Sequence, residues 1–179
     1  MTEAWIIDAC RTPRGTGKMG KGSLAHLHTQ RLGATVLAAL AERTGLDTGD
    51  VDDVIFGCSW QVGTQSGDLG RMAALDAGYP ITASGVTLDR FCGSGITAVN
   101  LAAASVMSGL EDVVVAGGAE MMSSYRQNAP KNGNPFMDNG NLHLRALHPQ
   151  TNQGVAADAI ATLEGISREA LDALAAESQ

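Results

Sequence analysis

Cys92 stands in Thr87-Leu88-Asp89-Arg90-Phe91-Cys92-Gly93-Ser94-Gly95-Ile96, where a short β-branched segment turns through two glycines into a stretch of helical spacing. Such a turn presents a nucleophile. The ionised sulfur of a cysteine attacks and the thiol does not; the unpaired N–H groups and positive dipole end of a helix start favour the ionised form. An ordinary cysteine titrates at about 8.5, and helix N-termini bring that down to roughly 3.5 to 7.5. Gly93 and Gly95 let the chain turn and let a substrate approach, and the Cys92 amide is positioned to meet a developing oxyanion. The competing reading, a buried inert cysteine, follows the general habit of the residue but not this turn. Ser94 is a weaker nucleophile candidate. A serine elbow needs glycines two residues to either side, and those places hold Cys92 and Ile96. Ser94 is expected instead as a helix N-cap.

The elements around this turn follow from periodicity. Gly85 to Leu88 reads as extended and Ile96 to Leu110 as a helix. Ile96, Val99, Ala103, Val106 or Met107, and Leu110 recur at three- and four-residue steps, predicting one buried stripe that Gly109 ends. Upstream, Ala4 to Asp8 reads as a strand, followed by a Gly/Lys-rich loop through Gly22. A helix carrying Leu32, Val36 and Leu40 stops at Gly45, and Asp53 to Gly57 is a second strand. Asp68 caps a helix toward Ala77, which Gly78 and Pro80 break, and Asp112 to Ala116 follows as a strand. Helices alternating with short apolar strands predict parallel pairing in an α/β layer sandwich. Past Ser123 the period is lost. Asn128 to Asn141 reads as a loop or lid, and two helices then follow, the last capped by Ser167 with Ile166 stapled onto Leu171.

The chain has 179 residues, 44% hydrophobic and 17% charged, the balance of a globular fold. No apolar run approaches the roughly 18 residues of a membrane span. A net charge of -7 argues against nucleic acid as partner, without excluding a phosphate-bearing ligand met by local basic groups. The start Met1-Thr2-Glu3-Ala4-Trp5-Ile6 has neither a basic leader nor an apolar signal core, so a cytoplasmic location is expected. Cys10, Cys58 and Cys92 are odd in number and widely spaced, which predicts reduced thiols and no metal cluster. Gly15-Thr16-Gly17-Lys18-Met19-Gly20-Lys21 spells a dinucleotide fingerprint, but Pro13 separates it from the strand and no apolar helix follows. As a P-loop it fails too, because Gly22 supplies no hydroxyl for magnesium.

The Cys92 segment resembles the acyl-accepting cysteine segment of the thiolases. Asp8-Ala9-Cys10-Arg11-Thr12-Pro13 is similar to that family's opening Arg-Thr-Pro segment, and Ala116-Gly117-Gly118-Ala119-Glu120-Met121-Met122-Ser123 to its Ala-Gly-Gly-x-Glu-x-Met-Ser segment. Gly67-Asp68-Leu69-Gly70-Arg71 occupies the place of a loop that in the family lies near the partner subunit's active site. Four segments in order outweigh any one motif. The resemblance runs over essentially the whole chain, yet the chain is less than half of a usual thiolase subunit. The family's Asn-Glu-Ala-Phe, Gly-His-Pro and Cys-x-Gly segments, which carry its histidine and second cysteine, do not occur here. Leu147-His148-Pro149 lacks the glycine of the second, so the histidine's role is not carried over to His148.

The resemblance therefore implies a layered thiolase-like N-terminal domain with a parallel-rich mixed sheet over residues 1–123, and the first part of an inserted loop domain over residues 124–179. The closing strands of the sheet would lie beyond Gln179, leaving the sheet incomplete. It implies acyl transfer between CoA thioesters through an acyl-cysteine at Cys92, either thiolytic cleavage of a 3-oxoacyl-CoA, as in fatty acid β-oxidation, or the reverse condensation. Acyl-CoA and CoA are substrates, CoA being a cosubstrate with no bound cofactor. A complementary C-terminal thiolase chain or segment is the expected partner, the completed subunit being a homo-oligomer and the isolated chain inactive. Thr151-Asn152-Gln153-Gly154-Val155-Ala156-Ala157-Asp158 resembles a family segment bordering the acyl site, with Gln153 where methionine is usual. The polar amide bears on substrate choice or is neutral drift. The alternative to an acyltransferase half is a non-catalytic structural subunit of a thiolase-like complex.

Overall fold

Val54, Ile55 and Phe56 are apolar on both sides of an extended backbone, and such a run is stable only when both faces of its sheet are covered. Strand β1, Asp53–Gly57, lies accordingly at the centre of a three-stranded parallel sheet. Strands β2, Val86–Leu88, and β3, Val114–Gly118, flank it in the order β2-β1-β3. Ile55 pairs with Val86 on one side and Ala116 on the other, and Gly57 with Leu88 and Gly118. The computed structural model describes residues 3–124 and 137–179, and the chain divides into two compact units, Met1–Ala129 and Pro130–Gln179.

In the first unit, helix α1, Thr29–Thr44, begins where His28 Nδ1 accepts the Gln30 N–H at 3.3 Å and ends where Gly45 turns left-handed at φ 67°. Helix α2, Leu69–Asp76, is capped by Asp68, whose carboxylate accepts the Arg71 N–H and the Thr87 hydroxyl, the latter at 2.7 Å. Both helices cover the Val54 and Phe56 face of β1. There Leu37, Leu69, Ala73 and Ala74 form the main core with them. Phe56 is fully buried, and removing a residue of that size from a core costs about 3–5 kcal/mol.

Helix α3, Ser94–Ser108, covers the opposite face, where Ala98 and Ala102 pack on Ile55. Most of the predicted stripe is on the wrong side, only Ala103 and Val106 of it being half-buried. Ile96, Val99, Met107 and Leu110 are exposed, whereas Ser94, Thr97, Ala98 and Ala102 are buried. Gly57 explains the inversion: a methyl there would meet the Ser94 carbonyl carbon at 2.6 Å, so the helix start rests directly on the strand and only small residues fit between. By composition Phe91–Ser108 reaches a mean hydropathy of 1.3 over 18 residues, enough for a membrane span. Its small-residue face packed on the sheet is that of a core helix in a layered protein.

The predicted strand at Ala4–Asp8 does not form. Residues 3–10 are outside any ladder, with Trp5, Ile6 and Ile7 exposed. The segment is tied down at its far end, by an Asp8–Arg43 ion pair at 3.0 Å, Arg43 on the Ala9 carbonyl at 3.5 Å and the Cys10 thiol on the Val36 carbonyl at 3.5 Å. A strand needs a neighbour to pair with, and none adjoins it among the described residues. β3 likewise pairs on one side only among the described residues. Beside β3 lies a cleft of about 420 Å³, walled by Cys10 to Gly17 and by Val115 to Ser123, with Leu32, Val36 and Leu40 of α1 among its lining.

Among its described residues the second unit holds three helices: α4, Leu142–Leu147, capped by Asn141; α5, Gln153–Leu163, capped by Asn152; and α6, Arg168–Ser178, capped by Ser167. The last two were expected, and α4 is additional. None of these helices has a buried residue. The Arg145 guanidinium grips both oxygens of Asp138 at 2.6 and 2.7 Å, holding that carboxyl below its usual range. Most of the expected loop from Asn128 to Asn141 lies outside the described residues, as does the chain just beyond the expected boundary at 123.

Candidate active site

Parallel strands end on the same side of a sheet, and in open α/β proteins sites collect outside those carboxyl ends. Cys58 directly follows β1, the Cys92 turn follows β2, and Glu120 follows β3. Cys92 is exposed, two residues before α3. Gly93 is the N-cap, with no side-chain capping bond, so the expected capping role of Ser94 is not what forms. Ser94 is the first helical residue and its hydroxyl reaches backwards, accepting the Arg90 N–H at 2.8 Å and donating to the Phe91 carbonyl at 2.7 Å.

This clasp closes the turn around Phe91, whose φ of 49° is left-handed. For a bulky residue that conformation costs about 1–3 kcal/mol and persists only where surrounding bonds impose it. The amide N–H groups of Cys92 and Gly95 have no partner among the described residues, and both belong to the turn and first residues at the positive end of a 15-residue helix. An exposed thiol near unpartnered N–H groups is the combination that attack on a carbonyl requires, the thiol as nucleophile and the N–H groups for the negative charge that develops.

Behind the turn lies a polar network that sequence reasoning missed. Glu120 accepts the Ser59 N–H at 2.7 Å and the Gln65 amide at 2.9 Å. Gln65 is fully buried and also bonds the Trp60 carbonyl and the Met121 N–H. The Ser59 hydroxyl bonds Asp89 Oδ1 at 3.2 Å, and the same oxygen accepts the Phe91 N–H at 2.7 Å. The available signal was position: Ser59, Asp89 and Glu120 each come within two residues of a strand's carboxyl end. The buried Cys58 thiol sits 3.9 Å from Glu120 Oε1, and burial together with the Glu120 charge pushes its pKa up to about 11.

Arg71 of the Gly67–Arg71 loop is engaged within its own chain, donating to the Ala83 and Ile81 carbonyls. Gly15 to Lys21 forms turns and irregular chain, not the opening of a helix. Gln153 is the exposed first residue of α5 in the second unit, while Cys92 belongs to the first. His148 ends α4 and is exposed. Among the described residues no group of three or more His, Cys, Asp or Glu is arranged to hold a metal.

Comparison with known proteins gives a consistent result. The family described as "Thiolase, N-terminal domain" matches residues 4–179. A steroid 3-ketoacyl-CoA thiolase of Mycobacterium tuberculosis is 49% identical over 123 residues, 69% of this chain and 30% of that protein. A 3-ketoacyl-CoA thiolase of Bacillus subtilis is 36% identical over 178 residues, 99% of this chain and 44% of its own length. The β-ketoadipyl-CoA thiolase of Acinetobacter baylyi is 35% identical, with 100% of this chain and 47% of that protein covered. The chain thus spans less than half the length of these relatives. Among solved structures, the acetyl-CoA acetyltransferase of Bacillus anthracis aligns with 57% of this chain and 25% of its own, with a TM-score of 0.52 and 38% identity.

Proposed function

This chain belongs to the thiolase family by its N-terminal domain, and from that premise we propose that it is the acyl-accepting part of a thiolase, with Cys92 as nucleophile. The Cys92 sulfur attacks the keto carbon of a 3-oxoacyl-CoA, and the bond between that carbon and its α-carbon breaks. The acyl group stays on sulfur as a thioester; the electron pair leaves on the α-carbon and takes up a proton, giving acetyl-CoA. A second CoA thiol, deprotonated by a base, attacks the thioester and releases the shortened acyl-CoA and the Cys92 thiolate. The reverse order is the Claisen condensation. The observation that carries this reading is the exposed Cys92 turn with its free amide donors at the start of α3.

The base and the proton donor are assigned to a complementary C-terminal segment, in the same polypeptide or another. The β3 edge and residues 3–10, neither of which pairs further among the described residues, support it, because added strands would pair with exposed backbone and cover apolar side chains such as Trp5, Ile6 and Ile7. The completed subunit is proposed to be a homo-oligomer. A purely structural subunit has no use for an exposed thiol on a strained turn, which favours the acyltransferase reading.

Thiolysis of acetoacetyl-CoA is the test. The 179-residue chain alone is expected to be inactive, and the chain co-expressed with a thiolase C-terminal half to be active. Turnover by the chain alone, or none by the complex, would overturn the proposal. Gln153 is proposed to border the acyl site, where a polar amide favours substrates with a polar acyl group. Gln153→Met in the completed enzyme is expected to move preference toward plain alkyl 3-oxoacyl-CoAs by about tenfold, and unchanged ratios across a substrate panel would remove Gln153 from the site.

A further inference from the structure

Phe91 holds a left-handed backbone although the residue is 61% exposed, so packing of the ring does not impose the conformation. Hydrogen bonds do. Ser94 closes the turn from the helix side. From the strand side, Asp89 Oδ1 receives the Phe91 N–H at 2.7 Å and the Ser59 hydroxyl at 3.2 Å. Ser59 follows Cys58 at the end of β1, and its own N–H is held by Glu120 beyond β3. The residue preceding Cys92 is therefore fastened, through one carboxylate oxygen, to the ends of two other strands.

Resting on the reading of Cys92 as the acyl-accepting nucleophile, we infer that Asp89 is a positioning residue: it clamps Phe91 left-handed and thereby holds Cys92 in its place at the start of α3, with Ser59 tethering the clamp to the sheet. Without the clamp, Phe91 relaxes to an ordinary conformation. The sulfur then leaves the helix start. The clamp uses Asp89 as a hydrogen-bond acceptor, so the Oδ1 of asparagine can replace it and the methyl of alanine cannot. Because the strain lies in the φ of a bulky residue, glycine at position 91 adopts the same turn unaided.

The test is the rate at which iodoacetamide alkylates Cys92 in the 179-residue chain, followed by peptide mass, with Cys10 and Cys58 as internal references. Asp89→Ala is expected to slow Cys92 about tenfold and Ser59→Ala about threefold, as loss of one or two hydrogen bonds implies. Asp89→Asn should stay within about twofold of the parent, and Phe91→Gly should restore most of the rate in the Asp89→Ala background. In the completed enzyme Asp89→Ala should lower kcat with KM little changed. Parental labelling by Asp89→Ala, slow labelling by Asp89→Asn, or no rescue by Phe91→Gly overturns the clamp while leaving Cys92 as nucleophile. If Asp89→Ala does not fold, Ser59→Ala decides, and a parental rate there counts against the clamp. A parent chain whose Cys92 labels no faster than Cys58 overturns the function proposed above instead.

Discussion

Cys58 and Cys92 follow neighbouring strands of one sheet, yet their surroundings are opposite. Cys58 is buried, has a carboxylate at 3.9 Å, and titrates at about 11. Cys92 is exposed at the start of a long helix, on a turn forced left-handed at the residue before it. The difference teaches that the chemistry of a thiol here is set by what the fold places around it. Low dielectric and a fixed negative charge suppress one sulfur, while helix amides attend the other.

The comparison breaks most visibly in alkylation. At pH 8 a thiol with a pKa of about 11 is only about 0.1% ionised. Cys92, which is exposed, is therefore expected to react with iodoacetamide far faster than Cys58 in the native chain, and similar rates would erase the distinction. A structural perturbation comes next. Gly57→Ala drives a methyl into the first turn of α3, and is expected to cost about 3 kcal/mol, read as a lowered urea midpoint, and to slow Cys92 labelling as the turn shifts.

The smallest effect belongs to Cys58. Its folded pKa is raised above the unfolded value near 9, so the folded state retains a proton that the unfolded state loses as pH rises. Stability is complete below about pH 9 and falls by roughly 2 kcal/mol toward pH 11. Cys58→Ala should flatten that part of the urea midpoint against pH profile, whereas Cys92→Ser should leave it in place.

What the sequence revealed was local. The Gly45 stop, the Asp68 and Ser167 caps and the apolar run of β1 are decided by neighbours along the chain, and all formed as read. The exposed Cys92 turn was legible for the same reason, since glycines and a change of period announce it. The buried face of α3 was not. The helix is apolar most of the way round, and the choice of face is made by Gly57, a residue almost 40 positions earlier that lets only small side chains approach. Ala4–Asp8 has the composition of a strand but no pairing partner among the described residues. The Asp89, Ser59 and Glu120 bonds join residues 30 and 61 positions apart, beyond the reach of any periodicity.

The central claim is that Cys92 carries the acyl group, and mass analysis of trapped acyl-enzyme tests it most directly. The chain completed by a thiolase C-terminal half should be quenched in acid after brief exposure to acetoacetyl-CoA without free CoA. One acetyl group is expected on the peptide containing Cys92, absent from Cys92→Ser and removed when CoA is added before quenching. Acetylation of Cys58, Cys10 or Ser94 in its place, or turnover by Cys92→Ser, would contradict the account.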